Sequence, residues 1–533
     1  MRKILCWAAS AAVLSACGGG SSPTPTPAVP PPPAPSVKLL SASPVRVAAA
    51  HTGLSLSVQL QPSFTPVGTL YVQAVDKAAV IQSSVSVSSN GDGSYALALD
   101  TIPALAAGHY TGDLTLKLCS DASCATPQAV PSVTLPYDLT VLAAGNAWPG
   151  DKLSALTPWS GVDDWATFQG NAAHTAYVPV TLDPDRFALR WKSGPISSNS
   201  VSFYGYAATL VTADGLLYAA ANNKLQARKE FDGSTAWTYD VSSLRWPSVN
   251  PPAVAGGMVY MAAGQQESTY LFGLEAATGT LKFKTPMSSQ WENYLAPVAL
   301  EGAVYTNAGS YGGLYAFNTS GERLFFGELS QTSMWSPAVD GSFVYAYTGD
   351  SLTLFDRKTG AVSSKISDTQ FTNYIYQLNG AVVLGTPGTA FGAGYATAGL
   401  NGGTMGNSLL KFNTAKGYID WRISGNYPLT PAYADGVLYA PNTNPYRIEA
   451  RAEADGALRW SWTPPVAGDS GWAGEPLVTK NLLFVSASSA TYAIDLRSHK
   501  VVWSYPAAGK LALSRQGVLY IQNSDALVAV TVK

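Results

Sequence analysis

The sequence predicts an all-β protein: an eight-bladed β-propeller, closed by strands from both ends of the repeat region, with a small β-sandwich ahead of it. Three observations predict it. First, a phrase recurs along the C-terminal two-thirds, clearest between Pro431 and Trp460. Asp435-Gly436 and Asp455-Gly456 each follow a short extended run, and Asp-Gly between apolar runs signals a two-residue hairpin turn with positive φ. One copy therefore reads as four antiparallel strands, A to D, with Trp460 on D. Second, the copies can be counted. The B-strand mark appears eight times, as Leu217-Tyr218, Val259-Tyr260, Val304-Tyr305, Val344-Tyr345, Val382-Val383, Leu438-Tyr439, Leu483-Phe484 and Leu519-Tyr520. The D-strand mark appears seven times, as Trp237, Phe283, Phe325, Ser364, Trp421, Trp460 and Trp503, with Ser364 the poor match. Third, the two ends complement each other. Trp191 precedes the first copy without strands A to C, and no D strand follows Tyr520. The strand around Arg190-Trp191 is expected to complete the blade begun by residues 509–533, which leaves no free edge between first and last blades. Four-stranded repeats of about 40–45 residues fit a propeller and not a helical solenoid.

From the N-terminus, Arg2-Lys3 is a basic n-region, and the apolar run Ile4 to Ala16 is short for a membrane span. It ends in Leu14-Ser15-Ala16-Cys17, which resembles the bacterial lipobox. That resemblance implies that residues 1–17 form a lipoprotein signal, that Cys17 is lipidated, and, with Gly18 following, that the protein goes to the outer membrane. Residues 18–36, GGGSSPTPTPAVPPPPAPS, read as a flexible start followed by a semi-rigid polyproline spacer. Residues 37–142 alternate at period two in about seven short strands, which predicts a β-sandwich. Its stretch GHYTGDLTLKLCSDASC resembles a segment of Ig-like domains in exported bacterial proteins. Cys119 and Cys124 are close enough to staple one loop, and an oxidising compartment makes a disulfide the expectation; two thiols without nearby His make a poor metal site.

Residues 143–184 form a connection. Within it Trp165-Ala166-Thr167-Phe168-Gln169-Gly170-Asn171, followed by His174, resembles the lead-in of pyrroloquinoline-quinone-like (PQQ-like) propellers. Together with the turn-Gly-x-x-x-Trp phrase, this extends the resemblance over residues 163–533, with the blades in 185–533. It implies D-strand Trp residues packed between neighbouring blades. Burying a large flat ring once per repeat accounts for that position, so these Trp residues are core. The lipobox, blade number and repeat phrase further resemble the propeller lipoproteins of the outer-membrane β-barrel assembly machinery. The spacer and the Ig-like domain are departures, and no contact residue is carried over.

Chemistry is sparse. The formal charge of −2 and the lack of a basic cluster exclude a nucleic-acid binder. Quinoprotein dehydrogenases share the fold, and many carry adjacent cysteines beside the quinone. None of the four Cys lies in the propeller, and no set of Asn, Glu and Asp stands out to hold calcium. No quinone, metal site or catalytic residue is therefore expected. Gly468-Asp469-Ser470-Gly471 resembles a serine-protease nucleophile segment, but it lies within propeller repeats. His499 stands at a turn where other copies have Gly.

What remains is a face. The D–A connections carry Tyr204, Trp246, Trp291, Trp335, Tyr374, Tyr427 and Trp472, each shortly before an innermost strand. They form the candidate binding face, with Asn250, Glu292, Asn293, Asn426, Asp469 and Glu475 nearby; the alternative is that they wedge between blades. The fifth copy carries a Gly-rich excess, Thr386 to Ser408, expected in its B–C loop on the same side. The expected protein is a monomeric, non-catalytic lipoprotein that offers this face to envelope proteins. A quinone- or metal-dependent oxidoreductase and a glycan-binding module are the alternatives.

Overall fold

The computed structural model describes residues 34–40, 45–49, 55–66, 68–102, 105–106, 108–141, 153, 155–194, 209–221, 223–289, 296–308, 312–329, 332–333, 335–348, 351–369, 377–396, 408–465 and 469–533. Cys17 and the spacer up to residue 33 lie outside them, as do Tyr204, Trp291, Glu292, Asn293 and Tyr374. Among the described residues there is no α-helix, only two 3-10 turns, and no helix long and apolar enough to cross a membrane.

The N-terminal unit has eight strands, one more than the expected seven: β1 (Val37–Leu39), β2 (Val45–Ala49), β3 (Ser55–Pro62), β4 (Tyr71–Asp76), β5 (Ile81–Ser89), β6 (Tyr95–Thr101), β7 (Gly108–Cys119) and β8 (Val133–Val141). They pair in the order β1-β3-β6-β5-β4-β7-β8-β2. The inward side chains Leu56, Val58, Leu97, Leu99, Leu116 and Leu139 share one core, which the period-two pattern supplies. The loop after β7 is closed by a Cys119–Cys124 disulfide. Asp121 braces that loop, accepting from the backbone of Ser123 (3.0 Å), Ala125 (3.1 Å) and Thr126 (2.7 Å). The Ser123 hydroxyl and these backbone donors hold its carboxyl down at about 2.

The remaining strands make eight blades. Blade 1 spans Val211–Asp240, blade 2 Ala253–Met287, blade 3 Val298–Glu328, blade 4 Ala338–Ser367, blade 5 Gln377–Ile423, blade 6 Ala432–Trp462 and blade 7 Trp472–Tyr505. Blade 8 takes strands Lys510–Leu513, Val518–Gln522 and Leu527–Thr531 from the C-terminal end and Ala188–Ser193 as its outermost strand. The closing register pairs Ala188 with Thr531, Trp191 with Ala529 and Ser193 with Leu527.

The repeat phrase has a packing reason. The D-strand ring of one blade lies on the C–D turn glycine of the next. A Cβ on Gly233 would meet Trp191 at 2.9 Å, and one on Gly279 would meet Trp237 at 2.6 Å; both glycines have positive φ. The indole N–H then donates to the backbone carbonyl ahead of that turn, Trp191 to Glu230 and Trp237 to Ala276, both at 2.9 Å. The exceptions obey the same geometry. His499, at the glycine position with φ 58°, stacks on Trp460 with ring centroids 4.5 Å apart. Gly417 has open space beside it, because the preceding blade offers only Ser364.

Blade 5 corrects one reading. Val382-Val383 lies on the innermost strand Gln377–Leu384, not on strand B. Strand B is Thr389–Ala396, so the first part of the Gly-rich excess is a turn and a strand, and only residues beyond Ala396 belong to the B–C connection. Gly388, with φ 87°, makes the turn that Asp-Gly makes elsewhere.

Candidate binding site at the loop face

The two faces of the ring differ. On the face of the A–B turns, residues 159–178 run from blade to blade and bond to each. Trp159 N–H donates to Arg515 O of blade 8 at 2.8 Å. Trp165 O accepts from Thr212 N–H of blade 1 at 2.9 Å, and Ala166 O from Val254 N–H of blade 2 at 2.8 Å. Thr167 Oγ1 donates to Pro297 O, just ahead of blade 3, at 2.6 Å. Ala172 O, Ala173 O, Thr175 O and Ala176 O accept from Val339, Leu384, Tyr433 and Val478, on blades 4 to 7, at 2.8 to 2.9 Å. Tyr177–Val178 then joins the innermost strand of blade 7 in parallel. Inner-edge N–H groups of six blades, 1, 2 and 4 to 7, are thereby satisfied.

Side chains fix this segment. Trp165 lies against Gly170, where a Cβ would come within 2.8 Å of the ring. Asn171 Oδ1 accepts from Ala173 N–H (3.1 Å) and Thr175 N–H (3.2 Å). His174 is fully buried; its Nδ1–H donates to Val382 O at 2.9 Å, with Nε2 3.4 Å from Ser336 Oγ. Burial depresses its pKa to about 4, so the ring is neutral at physiological pH. His174 is thus a structural cross-tie to blades 4 and 5. The W-x-x-F-x-G-N-x-x-H pattern marked the segment in the sequence, but nothing there announced that it seals one face.

The opposite face carries the D–A and B–C loops. Four of the seven candidate aromatics are among the described residues, and they do not share one environment. Trp246 is 41% exposed, with the Arg245 guanidinium 5.8 Å from its ring centroid. Trp335 is 1% exposed, packed with Val298, Ala338 and Val344. Tyr427 is fully buried, its hydroxyl donating to Glu449 Oε2 at 2.7 Å. The expectation that all seven form one binding face is therefore corrected for Trp335 and Tyr427, which wedge between blades. Trp472 is half-buried: its indole N–H donates to Asn442 O at 3.0 Å and its ring meets Tyr446 at 4.4 Å.

Polar neighbours are mostly engaged. Asn250 is buried and donates to Ala262 O at 3.1 Å, and Asn426 Nδ2 donates to Thr443 Oγ1 at 2.5 Å. Glu475 and Lys510, on the innermost strands of blades 7 and 8, pair at 2.9 Å. Glu449 binds Arg447 and Arg451, with Nη2 of each 2.8 and 2.6 Å from its oxygens. Burial alone would raise the Glu449 pKa, but hydrogen bonds from Tyr427, Arg451 and Arg447 outweigh it and hold the carboxyl below its ordinary value. Asp469 accepts from Ser488 Oγ at 3.0 Å and Tyr492 OH at 3.1 Å. Among the described residues no cluster of His, Cys, Asp and Glu is arranged to hold a metal ion.

Comparison with known proteins places this geometry. A family model described as outer membrane protein assembly factor BamB matches residues 174–294 and 328–532, more than half of the chain. No curated protein matches the sequence. Among solved structures, apo AztD from Citrobacter koseri is similar over 60% of this chain and 89% of its own, at 11% identity and TM-score 0.40. The WD40 β-propeller domain of Doa1 is similar over 70% and 98%, at 8% identity and TM-score 0.35. Kluyveromyces lactis Hsv2 is similar over 59% and 98%, at 7% identity and TM-score 0.36.

Proposed function

The chain belongs to the family of outer membrane protein assembly factor BamB, and from that premise we propose that it is a non-catalytic lipoprotein whose loop face docks envelope proteins. The single observation that carries this reading is the asymmetry of the ring. The turn face is bonded to residues 159–178 across the blades, whereas the loop face leaves Trp246 exposed beside Arg245. A half-exposed aromatic with an adjacent arginine is the composition of a protein-docking hot spot. Cys17 would carry the lipid, the Pro-rich spacer would hold the body off the membrane, and the N-terminal sheet would serve as a further spacer.

The test is site-specific photo-crosslinking in intact cells. A photoreactive residue in place of Trp246 is expected to capture a partner, and one in place of Asp455, on the turn face, is not. Equal capture from both faces, or capture from Asp455 alone, overturns the reading. Replacing Cys17 by Ser is expected to abolish fatty-acid labelling and move the protein from the membrane to the soluble envelope fraction.

A further inference from the structure

From the geometry of one corner of the loop face we infer that it receives an arginine side chain of the partner; this rests on the docking role proposed above. The corner lies between blades 6 and 7. Strand ends bring four aromatics there: Tyr446 opens strand C of blade 6, Trp462 ends its strand D, Trp472 opens strand A of blade 7, and Tyr492 lies at the start of its strand C. Trp462 meets Tyr492 at 5.3 Å and Tyr446 meets Trp472 at 4.4 Å, and both tryptophans pack on Tyr492 and Ala490. Trp462, Trp472 and Tyr446 remain half-exposed, so the cluster presents ring surface to solvent.

Asp469 stands on this surface, half-exposed. Each of its oxygens takes one hydroxyl, from Ser488 and Tyr492, which fixes the carboxylate in place. A carboxylate has about four acceptor positions, so both oxygens keep capacity for another donor. None of the ion pairs among the described residues includes Asp469. Arg447, the residue after Tyr446, is committed to Glu449. The corner thus offers an immobilised, unbalanced negative charge beside aromatic faces. A guanidinium satisfies both features at once: its flat face stacks on an indole, and its fork of N–H groups donates to two carboxylate oxygens. An ammonium brings the charge and single hydrogen bonds but neither the flat face nor the two-pronged fork, and a neutral amide brings hydrogen bonds without the charge.

The probe is the peptide acetyl-Gly-Arg-Gly-amide, titrated into the full-length protein by calorimetry or ligand-observed NMR. Its citrulline counterpart has the same shape and no charge. Saturable binding is expected for the arginine peptide, at least tenfold weaker for the citrulline peptide and severalfold weaker for a lysine peptide. Asp469→Asn is expected to weaken the arginine peptide at least tenfold, and Trp472→Phe about threefold, each in a protein that still folds with a cooperative unfolding transition. Equal binding of the arginine and citrulline peptides to the unaltered protein overturns the inference without recourse to any variant. If it fails while the crosslink from position 246 persists, the docking role stands and only this subsite is wrong; loss of both rejects the face as a whole.

Discussion

Glu230 in blade 1 and Glu453 in blade 6 each follow strand C of their blade by one residue. Both donate their backbone N–H to the glycine of the A–B turn, Gly215 at 2.8 Å and Gly436 at 2.9 Å. Both accept an indole N–H on their carbonyl, from Trp191 at 2.9 Å and Trp421 at 3.0 Å. Their carboxylates differ. Glu453 Oε1 takes Thr386 N–H, Thr386 Oγ1 and Thr389 Oγ1 at 3.1, 2.7 and 2.9 Å, and Oε2 takes the Tyr433 hydroxyl at 2.5 Å. Glu230 Oε2 takes the Tyr520 hydroxyl at 3.0 Å, and its buried Oε1 has no hydrogen-bond partner among the described residues. Burial pushes the Glu230 carboxyl up to about 7, and the lowering influence of the nearby Ser514 and Tyr520 hydroxyls does not offset it. Burial also works against Glu453, but its donors from Tyr433, Thr386 and Thr389 win and hold it below its ordinary value. The repeat fixes where the backbone goes; the A–B turn of the preceding blade decides whether a carboxylate there is ionised.

The largest expected effect comes from removing the satisfied member. Glu453→Ala leaves the Thr386 amide, two threonine hydroxyls and the Tyr433 hydroxyl without an acceptor, and unties the blade 5 turn from blade 6. A loss of about 3 kcal/mol is expected at pH 7 by chemical denaturation: a hydrogen bond to a charged group contributes about 1.5–3 kcal/mol, and the sum over four is discounted because Thr386 is exposed and Thr389 and Tyr433 are half-buried, so water replaces part of it. A loss below about 1 kcal/mol would show that the four donors rearrange freely, and the contrast with Glu230 would lose its physical basis.

Next is Glu230, with opposite sign. Its folded pKa of about 7 lies above the ordinary 4.5. Below 4.5 the carboxyl is protonated folded or unfolded and contributes nothing. Between 4.5 and 7 the unfolded chain releases the proton while the folded chain keeps it, so stability falls as pH rises. Above 7 the cost levels off at about 3 kcal/mol. Glu230→Gln is expected to raise stability at pH 8 by about 2 kcal/mol, change little at pH 4 and flatten the profile between. A pH-independent difference between the two proteins would mean that the Glu230 pKa is the same in the folded and unfolded chain. Glu453, with its lowered pKa, contributes stability above 4.5 that is lost as pH falls through its folded pKa.

Much of this was legible in the sequence, and the limits have physical causes. Ring closure followed from Trp191 standing alone and from Tyr520 lacking a D strand, because strand pairing is set by repeats that can be counted. The wedge role of the D-strand rings followed from one flat side chain at a fixed offset from a turn glycine. The seal across the turn face did not, because six of its eight ties are backbone carbonyls of residues 165–176, and a carbonyl leaves no mark on residue type. Strand B of blade 5 reads as a loop in the sequence because Gly392 and Gly394 dilute its alternation, where strand B of the other blades carries Val, Leu and Tyr. Trp335 and Tyr427 read as part of the candidate face because position in a D–A link is visible in a sequence and side-chain direction is not. Trp472 and Asp469, in the same link positions, turned out half-exposed.

The smallest effect concerns the same seam logic in its weakest copy. At blades 4 and 5 the ring that should lie on the turn glycine is Ser364, and the space beside Gly417 is empty. Strand register there matches the other blades: Leu354 pairs with Ser364 just before a bulge, as Ala316 pairs with Phe325 and Gly273 with Phe283. Ser364→Phe therefore presents a ring to a site already shaped for one, with no backbone change needed. Covering part of a phenyl face at about 25 cal/mol per Å² gives a gain of about 1 kcal/mol after the loss of rotamer freedom. Blade 3 supplies the control: Phe325→Ser should cost more than Ser364→Phe returns, because Gly360 packs directly on that ring and removal leaves a cavity. A destabilised Ser364→Phe protein, with Phe325→Ser behaving as expected, would mean that blades 4 and 5 meet at a different angle from their siblings, and that the Asp368–Arg422 pair linking them, not the ring seat, sets their spacing.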